Sequence, residues 1–293
     1  MNERARFTSR GAGWFALPYM ILFILFLIVP IVWDLWMSFT DQSLASTNSG
    51  FVGIDNYLEA FTSPDMYSSL LNTLFFTLIS SVPLVILSFV LAYLVVTGLP
   101  GQWLWRLTFF APYLLPVSVV TAMWGMMFSN DFGLINGLLA HLGFDQIGWL
   151  SDKQIAMWAI AITTVWWTIG FNFLLYLSAL QNIPDTVYEA AQVDGADAWR
   201  RLRSVTLPMM RPTTVLIVLL QILASLKVFD QIFLMTAGGP DGATRSIIQY
   251  IYDQGFSGYR VGYASAVSYI FFAMIVVVSL IQVAITNRNA KER

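Results

Sequence analysis

Apolar residues run along this chain in long blocks, and charged residues are confined to the breaks between them. A bilayer crossing needs about 20 mostly apolar residues. Charge-free stretches of that length occur at 11–33, 66–105, 107–130, 154–183 and 261–287, and a sixth apolar block, 212–235, carries Lys227 and Asp230 inside it. The pattern predicts six membrane-spanning helices, at about 12–37, 70–96, 107–128, 155–181, 212–235 and 262–286. The second block is longer than one span needs, so Gly98-Leu99-Pro100-Gly101 is read as the turn that follows its helix. Pro112 and Pro116 fall in the third block, where each removes a backbone donor and kinks a helix. Kinks persist in a bilayer where neighbouring helices or a cavity satisfy the freed carbonyls. A helix lining a gated pathway and a merely bent helix both fit. The first block follows a basic start but exceeds the apolar core of a secretory signal, about 7–15 residues, and is read as an uncleaved anchor.

Composition agrees with a polytopic membrane protein. Of 293 residues, 57% are hydrophobic and 11% charged, with a mean hydropathy of +0.68, outside the soluble range. The net charge of −2 says little, but its distribution orients the chain. Six spans put both termini on one side. That side holds Arg4, Arg6, Arg10, Arg106, Arg200, Arg201, Arg203, Arg211, Arg288, Lys291 and Arg293, while the other holds only Lys153, Arg245 and Arg260. Cytoplasmic loops carry the excess of Lys and Arg, so both termini are read as cytoplasmic. The expected fold class is an all-α membrane protein, a single domain over 1–293, in a bacterial plasma membrane.

Several chemistries are excluded. There are no cysteines, hence no disulfide framework and no thiolate metal site. No phosphate-binding G-x-x-x-x-G-K-[ST] loop is present, so the chain is not expected to hydrolyse ATP. No metal cluster, nucleophile-base pair or paired-carboxylate site stands out, and nothing suggests nucleic-acid binding. His141, the one histidine, lies in an external connection, 130–153, and is read as solvated on a short interfacial helix near 134–142.

The exception to the apolar pattern is the loop 182–211. Eight charged residues, Asp185, Glu189, Asp194, Asp197, Arg200, Arg201, Arg203 and Arg211, crowd between the fourth and fifth spans. A membrane protein that gathers charge in one cytoplasmic loop offers it to a soluble partner. Pro184 suits the start of a helix, Gly195 breaks it, and Pro208 stops a second helical piece or restarts the chain into the bilayer. The string Glu189-Ala190-Ala191, then Gly195, then Val205, then Leu207-Pro208 resembles the EAA loop in permease subunits of bacterial ABC importers, closest to the carbohydrate-uptake branch. Tyr188, Asp194 and Ala196 also fit that branch. Two distant stretches agree. Phe51-Val52-Gly53-Ile54-Asp55-Asn56-Tyr57 looks like the F-x-G-hydrophobic-x-N-Y element after the first span, there expected to pack against other subunits. Phe229-Asp230 with Thr236-Ala237-Gly238-Gly239-Pro240 looks like the FD…TGGGP stretch, with alanine for the first glycine.

The resemblance implies the type I importer fold and a coupling helix seated in a cytoplasmic ATPase. Tyr188 would then be an aromatic anchor, Glu189 a partner for a basic group, Ala190 and Ala191 a close-approach surface, Gly195 the bend, and Leu207-Pro208 the tie to the fifth span. It implies four kinds of partner besides membrane lipid: a second homologous permease, two ATPase subunits that carry ATP and magnesium, an extracytoplasmic sugar-binding protein, and a small carbohydrate. No cofactor is expected on this chain. The cargo class stays open among a di- or oligosaccharide, an amino sugar and a glycerol-phosphate-type solute. The acidic external loop, with Asp41, Asp55, Glu59 and Asp65, argues weakly against a strongly anionic one.

Polar residues at mid-bilayer depth face a bundle interior. Asn172 lies about 14 Å from the cytoplasmic end of its span at about 1.5 Å per residue, and Gln221 at a similar depth. Lys227 and Asp230, three residues apart, would share a helix face. Trp166 and Trp167 stand at comparable height. Aromatic faces beside amide and charged groups suit a sugar. Helix-to-helix hydrogen bonding by Asn172 and Gln221, with a snorkelling Lys227–Asp230 pair, is the other reading, in which a partner permease supplies most of the specificity. An ion-coupled secondary transporter is the alternative function. That class tends to carry inverted repeats, which the sequence does not show, and it leaves the charged loop unexplained.

Overall fold

The computed structural model describes residues 9–46 and 48–291. Arg4, Arg6 and Arg293, used above to orient the chain, lie outside them. In chain order the helices are α1 (Ser9–Phe23), α2 (Val29–Met37), α3 (Asp55–Thr62), α4 (Pro64–Val96), α5 (Gln102–Phe110), α6 (Val117–Met127), α7 (Leu134–His141), α8 (Ala156–Gln181), α9 (Asp185–Val193), α10 (Ala198–Arg201), α11 (Leu207–Leu226), α12 (Asp230–Met235), α13 (Ile247–Tyr252) and α14 (Val261–Lys291). Among the described residues the extended structure is one isolated bridge, Thr40 to Phe51. Five helical stretches are long and apolar enough to cross a membrane, Ala16–Met37, Pro64–Val96, Ala156–Gln181, Ala198–Leu226 and Val261–Ala284. A sixth crossing is available if Gln102–Leu114 and Val117–Met127 count as one.

That third crossing departs from the expected continuous helix 107–128. Its halves meet at 98°. Pro112 sits in a 3-10 turn, Ala111–Leu114, and Pro116 takes an extended conformation ahead of α6. Two prolines four residues apart deny the backbone two successive helical turns, so the span breaks where one proline would have kinked it. The Trp167 indole donates to the Leu115 carbonyl at 3.1 Å, which satisfies an acceptor freed at the break.

The fifth span, expected over 212–235, is also discontinuous. Helix α11 ends at Leu226, and Phe229 leaves helical geometry (φ −144°) before α12 begins at Asp230. Conversely, Pro208 does not stop the chain. Helix runs from Ala198 to Leu226, with a π-helical turn at Leu202–Thr206 just ahead of the proline. The wider turn lets the Leu207 amide bond Leu202 and removes the need for a proline N–H.

The chain packs as two units, residues 1–63 with 251–273, and 64–250 with 274–293. In the first, the F-x-G-I-D-N-Y element turns Asn56 and Tyr57 toward the end of α2 and leaves Phe51 and Ile54 exposed. The buried Asn56 amide donates to the carbonyls of Ser38 (3.0 Å) and Thr40 (2.8 Å), at the end of α2, and the Tyr57 hydroxyl pairs with Ser38 Oγ at 2.7 Å. The motif therefore caps the chain's own first span. Glu59 is paired with Arg260.

In the second unit, α4, α8 and α11 form the core. Ala92, Val95, Phe173, Tyr176, Leu177 and Ile217 bury there. Small polar residues let the helices close up. Ser88 Oγ donates to the Ile169 carbonyl at 3.2 Å. Gly170 lies against the backbone of Phe109, so close that a Cβ would stand 2.3 Å from that carbonyl oxygen. Asp65 is paired with Arg245. With Glu59 and Asp65 both neutralised by arginines, the acidic loop loses much of its force as an argument against anionic cargo.

Candidate functional site

The charged loop is a short helix with a fixed stop. Pro184 stands just ahead of α9, not inside it, and Asp185 opens the helix with an acid at its positive end. At the far end Gly195 adopts φ +74°. Its amide donates to the Gln192 carbonyl and the Ala196 amide to the Ala191 carbonyl, both at 2.9 Å. This is the paired-bond terminator that needs a left-handed residue, hence glycine. Asp197 then starts α10, its carboxylate accepting from the Arg200 amide at 2.7 Å. The spacing from Glu189-Ala190-Ala191 to Gly195 is thus the spacing of a helix and its terminator.

Tyr188 also makes contacts within the chain. Its ring packs on the core that holds Leu180, Ile183 and Met210, and its hydroxyl pairs with Thr206 Oγ1 at 3.1 Å. These contacts fasten α9 to the chain's own bundle and leave Tyr188 half-buried. The reason is helical register: Tyr188 and the exposed pair Glu189-Ala190 fall on different faces. Two outward residues were not singled out from sequence. Val193 is 88% exposed and Trp199 69% exposed. The available signal was an apolar residue in a strongly charged segment. Among the described residues, Glu189, Arg200, Arg201, Arg203 and Arg211 form no ion pair within the chain.

The second location is a cavity of about 310 Å³ between α8, α11 and the start of α12. Trp167, Asn172, Gln221, Lys227 and Asp230 all line it, with Tyr113, Phe171 and Phe229 among its aromatic walls. Trp166 does not. It lies edge-on to Trp124, ring centres 5.6 Å apart. Lys227 and Asp230 do not share a helix face, because the α11–α12 break falls between them, and they form no ion pair with each other. Both are exposed. Lys227 caps the negative end of α11 and Asp230 opens α12, each the sign that its helix end favours.

Asn172 and Gln221 do both things the sequence left open. Asn172 Nδ2 donates to Gln221 Oε1 at 2.8 Å, and Gln221 Nε2 donates to Ser225 Oγ at 3.0 Å. Ser225 in turn meets Ser80 at 3.0 Å and Ser81 at 3.2 Å. The chain of bonds ties α8, α11 and α4 together while it floors the cavity. Each such bond between membrane helices contributes about 0.6–2 kcal/mol. Lys227 and Asp230 are the charged residues in the lining of the cavity.

On the external side the loop Thr236–Thr244 closes on itself, with the two threonine hydroxyls 2.8 Å apart. Ala237, the position where the resembled family has glycine, sits at φ +49°, a conformation glycine adopts without strain. Asp241 bonds Lys153 at 2.7 Å. That hydrogen bond, and the lysine charge after it, hold the Asp241 carboxyl below its ordinary range.

Residues 68–291, which include α8 to α12 and hence both locations, match the family of binding-protein-dependent transport system inner membrane components. The chain belongs to this family. Its relatives include SmoG, the sulfoquinovosyl glycerol transport system permease protein of Agrobacterium fabrum, 33% identical over 92% of this chain and 87% of that protein. MalF, the trehalose/maltose transport system permease protein of Thermococcus litoralis, is 32% identical over 88% of each. Among solved structures, a chain of a bacterial ABC transporter that imports the acidic polysaccharide alginate superposes with a TM-score of 0.84, at 24% identity, over 94% of this chain and 95% of that one. The fold is the type I ABC importer permease fold. A binding-protein-dependent inner membrane component is a multi-pass transport subunit, not an enzyme, and these relatives give the ion-coupled alternative no support.

Proposed function

We propose that this permease forms half of the pathway of an ATP-driven carbohydrate importer, working as one domain, and takes its drive through residues 184–208. The cargo class follows the relatives, named for sulfoquinovosyl glycerol, trehalose/maltose and diacetylchitobiose; a di- or oligosaccharide-sized solute fits them all. A cavity of about 310 Å³, near the lower end of small-molecule sites at about 300–1,000 Å³, supports transient passage past Trp167, Asn172, Gln221, Lys227 and Asp230. The assembly comprises a second permease, two ATPase subunits holding ATP and magnesium, and an extracytoplasmic binding protein; a related importer has been seen with such a periplasmic protein.

The observation that carries the coupling role is the terminator at Gly195. It gives α9 a fixed length and, with Tyr188 anchored on Thr206, makes α9 a lever that moves with the core. Glu189, Ala190, Val193 and Trp199 are its outward surface; Ala191, Asp194, Ala196, Leu207 and Pro208 shape it. Closure of an ATPase dimer against this surface would switch the pathway between outward and inward states. In proteoliposomes holding the full complex, uptake of a labelled disaccharide is expected to need both ATP and the binding protein. Accumulation that follows a sodium or proton gradient without ATP would sink this reading.

A further inference from the structure

We propose that the shoulder where α11 enters the bilayer binds one anionic phospholipid, its phosphate held by Arg203 and Arg211. An open groove of about 530 Å³ lies there, and its lining combines these two arginines with Leu207, Pro208, Thr214 and Val215. Arg203, Leu207, Arg211 and Val215 recur every four residues, the spacing that puts side chains on one side of a helix. Basic and apolar positions therefore alternate along the groove, with Thr214 and Val215 on its membrane side, so one molecule that joins an anionic headgroup to an acyl chain can meet both.

Depth sets the same ligand. Gln221 is at the bilayer midplane by the reading above. Arg211 is ten residues nearer the cytoplasm, about 15 Å at about 1.5 Å per residue, which is the edge of a hydrocarbon core about 30 Å thick. Arg203 lies about 12 Å further out. Phosphates of the cytoplasmic leaflet fall between them, within reach of long side chains that extend toward the interface. Both arginines are exposed, and neither has an ion-pair partner among the described residues. A guanidinium fork suits a phosphate in particular. An ATPase surface is the competing occupant. It accounts for the arginines but not for Leu207, Pro208 and Val215 in the same groove, and α9 and α10 already offer Val193 and Trp199 further out.

The test uses the whole transporter, purified with its ATPase subunits from membranes containing phosphatidylglycerol and phosphatidylcholine. Native mass spectrometry counts the lipids retained. Wild type is expected to keep phosphatidylglycerol in preference to phosphatidylcholine. R203Q/R211Q should keep its ATPase subunits and lose that preference, with retention about thirty-fold weaker, from about fivefold per arginine near an anionic surface. R203K/R211K should retain part of it. Equal retention of both lipids by wild type would overturn the proposal. So would undiminished phosphatidylglycerol on the glutamine variant, and so would loss of the ATPase subunits with lipid retention unchanged, which would assign the arginines to the ATPase.

Discussion

Gly195→Ala is expected to abolish uptake while the chain still inserts into the membrane. A Cβ at this position meets nothing within 4 Å, so the substitution clashes with no side chain. Its effect is confined to the backbone. An L-residue in the left-handed region loses about 1–2 kcal/mol, and the terminator that ends α9 at Val193 competes with continued helix. Moving the stop by even one residue swings Asp197 and α10 through a large angle about the helix axis. Glu189→Lys should give the same loss by a different route. An exposed substitution shifts folding by no more than about 0.5 kcal/mol. Reversing a charge against a partner's basic group is far costlier, about 2–5 kcal/mol, or roughly 30-fold to several thousandfold in affinity. Transport assays with pull-down of the ATPase subunit separate insertion from coupling. Normal uptake by both variants would remove the loop from the mechanism.

Gly170→Ala is the second large effect, on the fold this time. The new methyl would stand 2.3 Å from the Phe109 carbonyl oxygen and 2.7 Å from the Phe110 Cα. Both are backbone atoms, which cannot rotate away, so α5 and α8 must separate. Overpacking of this kind costs about 1–3 kcal/mol and sometimes more, roughly a 2–5 °C drop in melting temperature for a chain of this length. The displaced segment carries Trp167 and Asn172, so uptake should fall with stability. Gly125→Ala is the control, since nothing lies within 4 Å of its added carbon. Equal melting temperatures for the two variants would mean that the α5–α8 approach is not as close as described.

Much of this was legible in the sequence. The apolar blocks locate the long helices because a bilayer leaves few alternatives to helix. The loop's identity was legible because its motif encodes local geometry: an acid at a helix start, a glycine at its stop, an aspartate cap on the next piece. Asn172, Gln221, Lys227, Asp230 and Trp167 could be gathered by depth alone, since helical rise converts residue number into height. What depth cannot give is rotation. Trp166 neighbours Trp167 and misses the cavity, and the contact of Tyr188 with Thr206 is set by rotation in the same way. The break at Lys227–Phe229 was invisible because no glycine or proline marks it; Val228 and Phe229 read as uninterrupted span. At Pro208 the sequence left open a stop or a restart into the bilayer; the helix runs on through it into α11, with a π-helical turn just upstream that has no sequence signature of its own.

The most direct test of the coupling role uses the absence of cysteine in the natural chain. Val193→Cys places one thiol on the exposed tip of α9. In membranes containing the assembled transporter, a short thiol-reactive crosslinker with a second, photoactivated end should join this position to the ATPase subunit, more efficiently with nucleotide bound. Labelling of the same thiol by a membrane-impermeant maleimide added outside intact cells, with no adduct to the ATPase, would contradict the account.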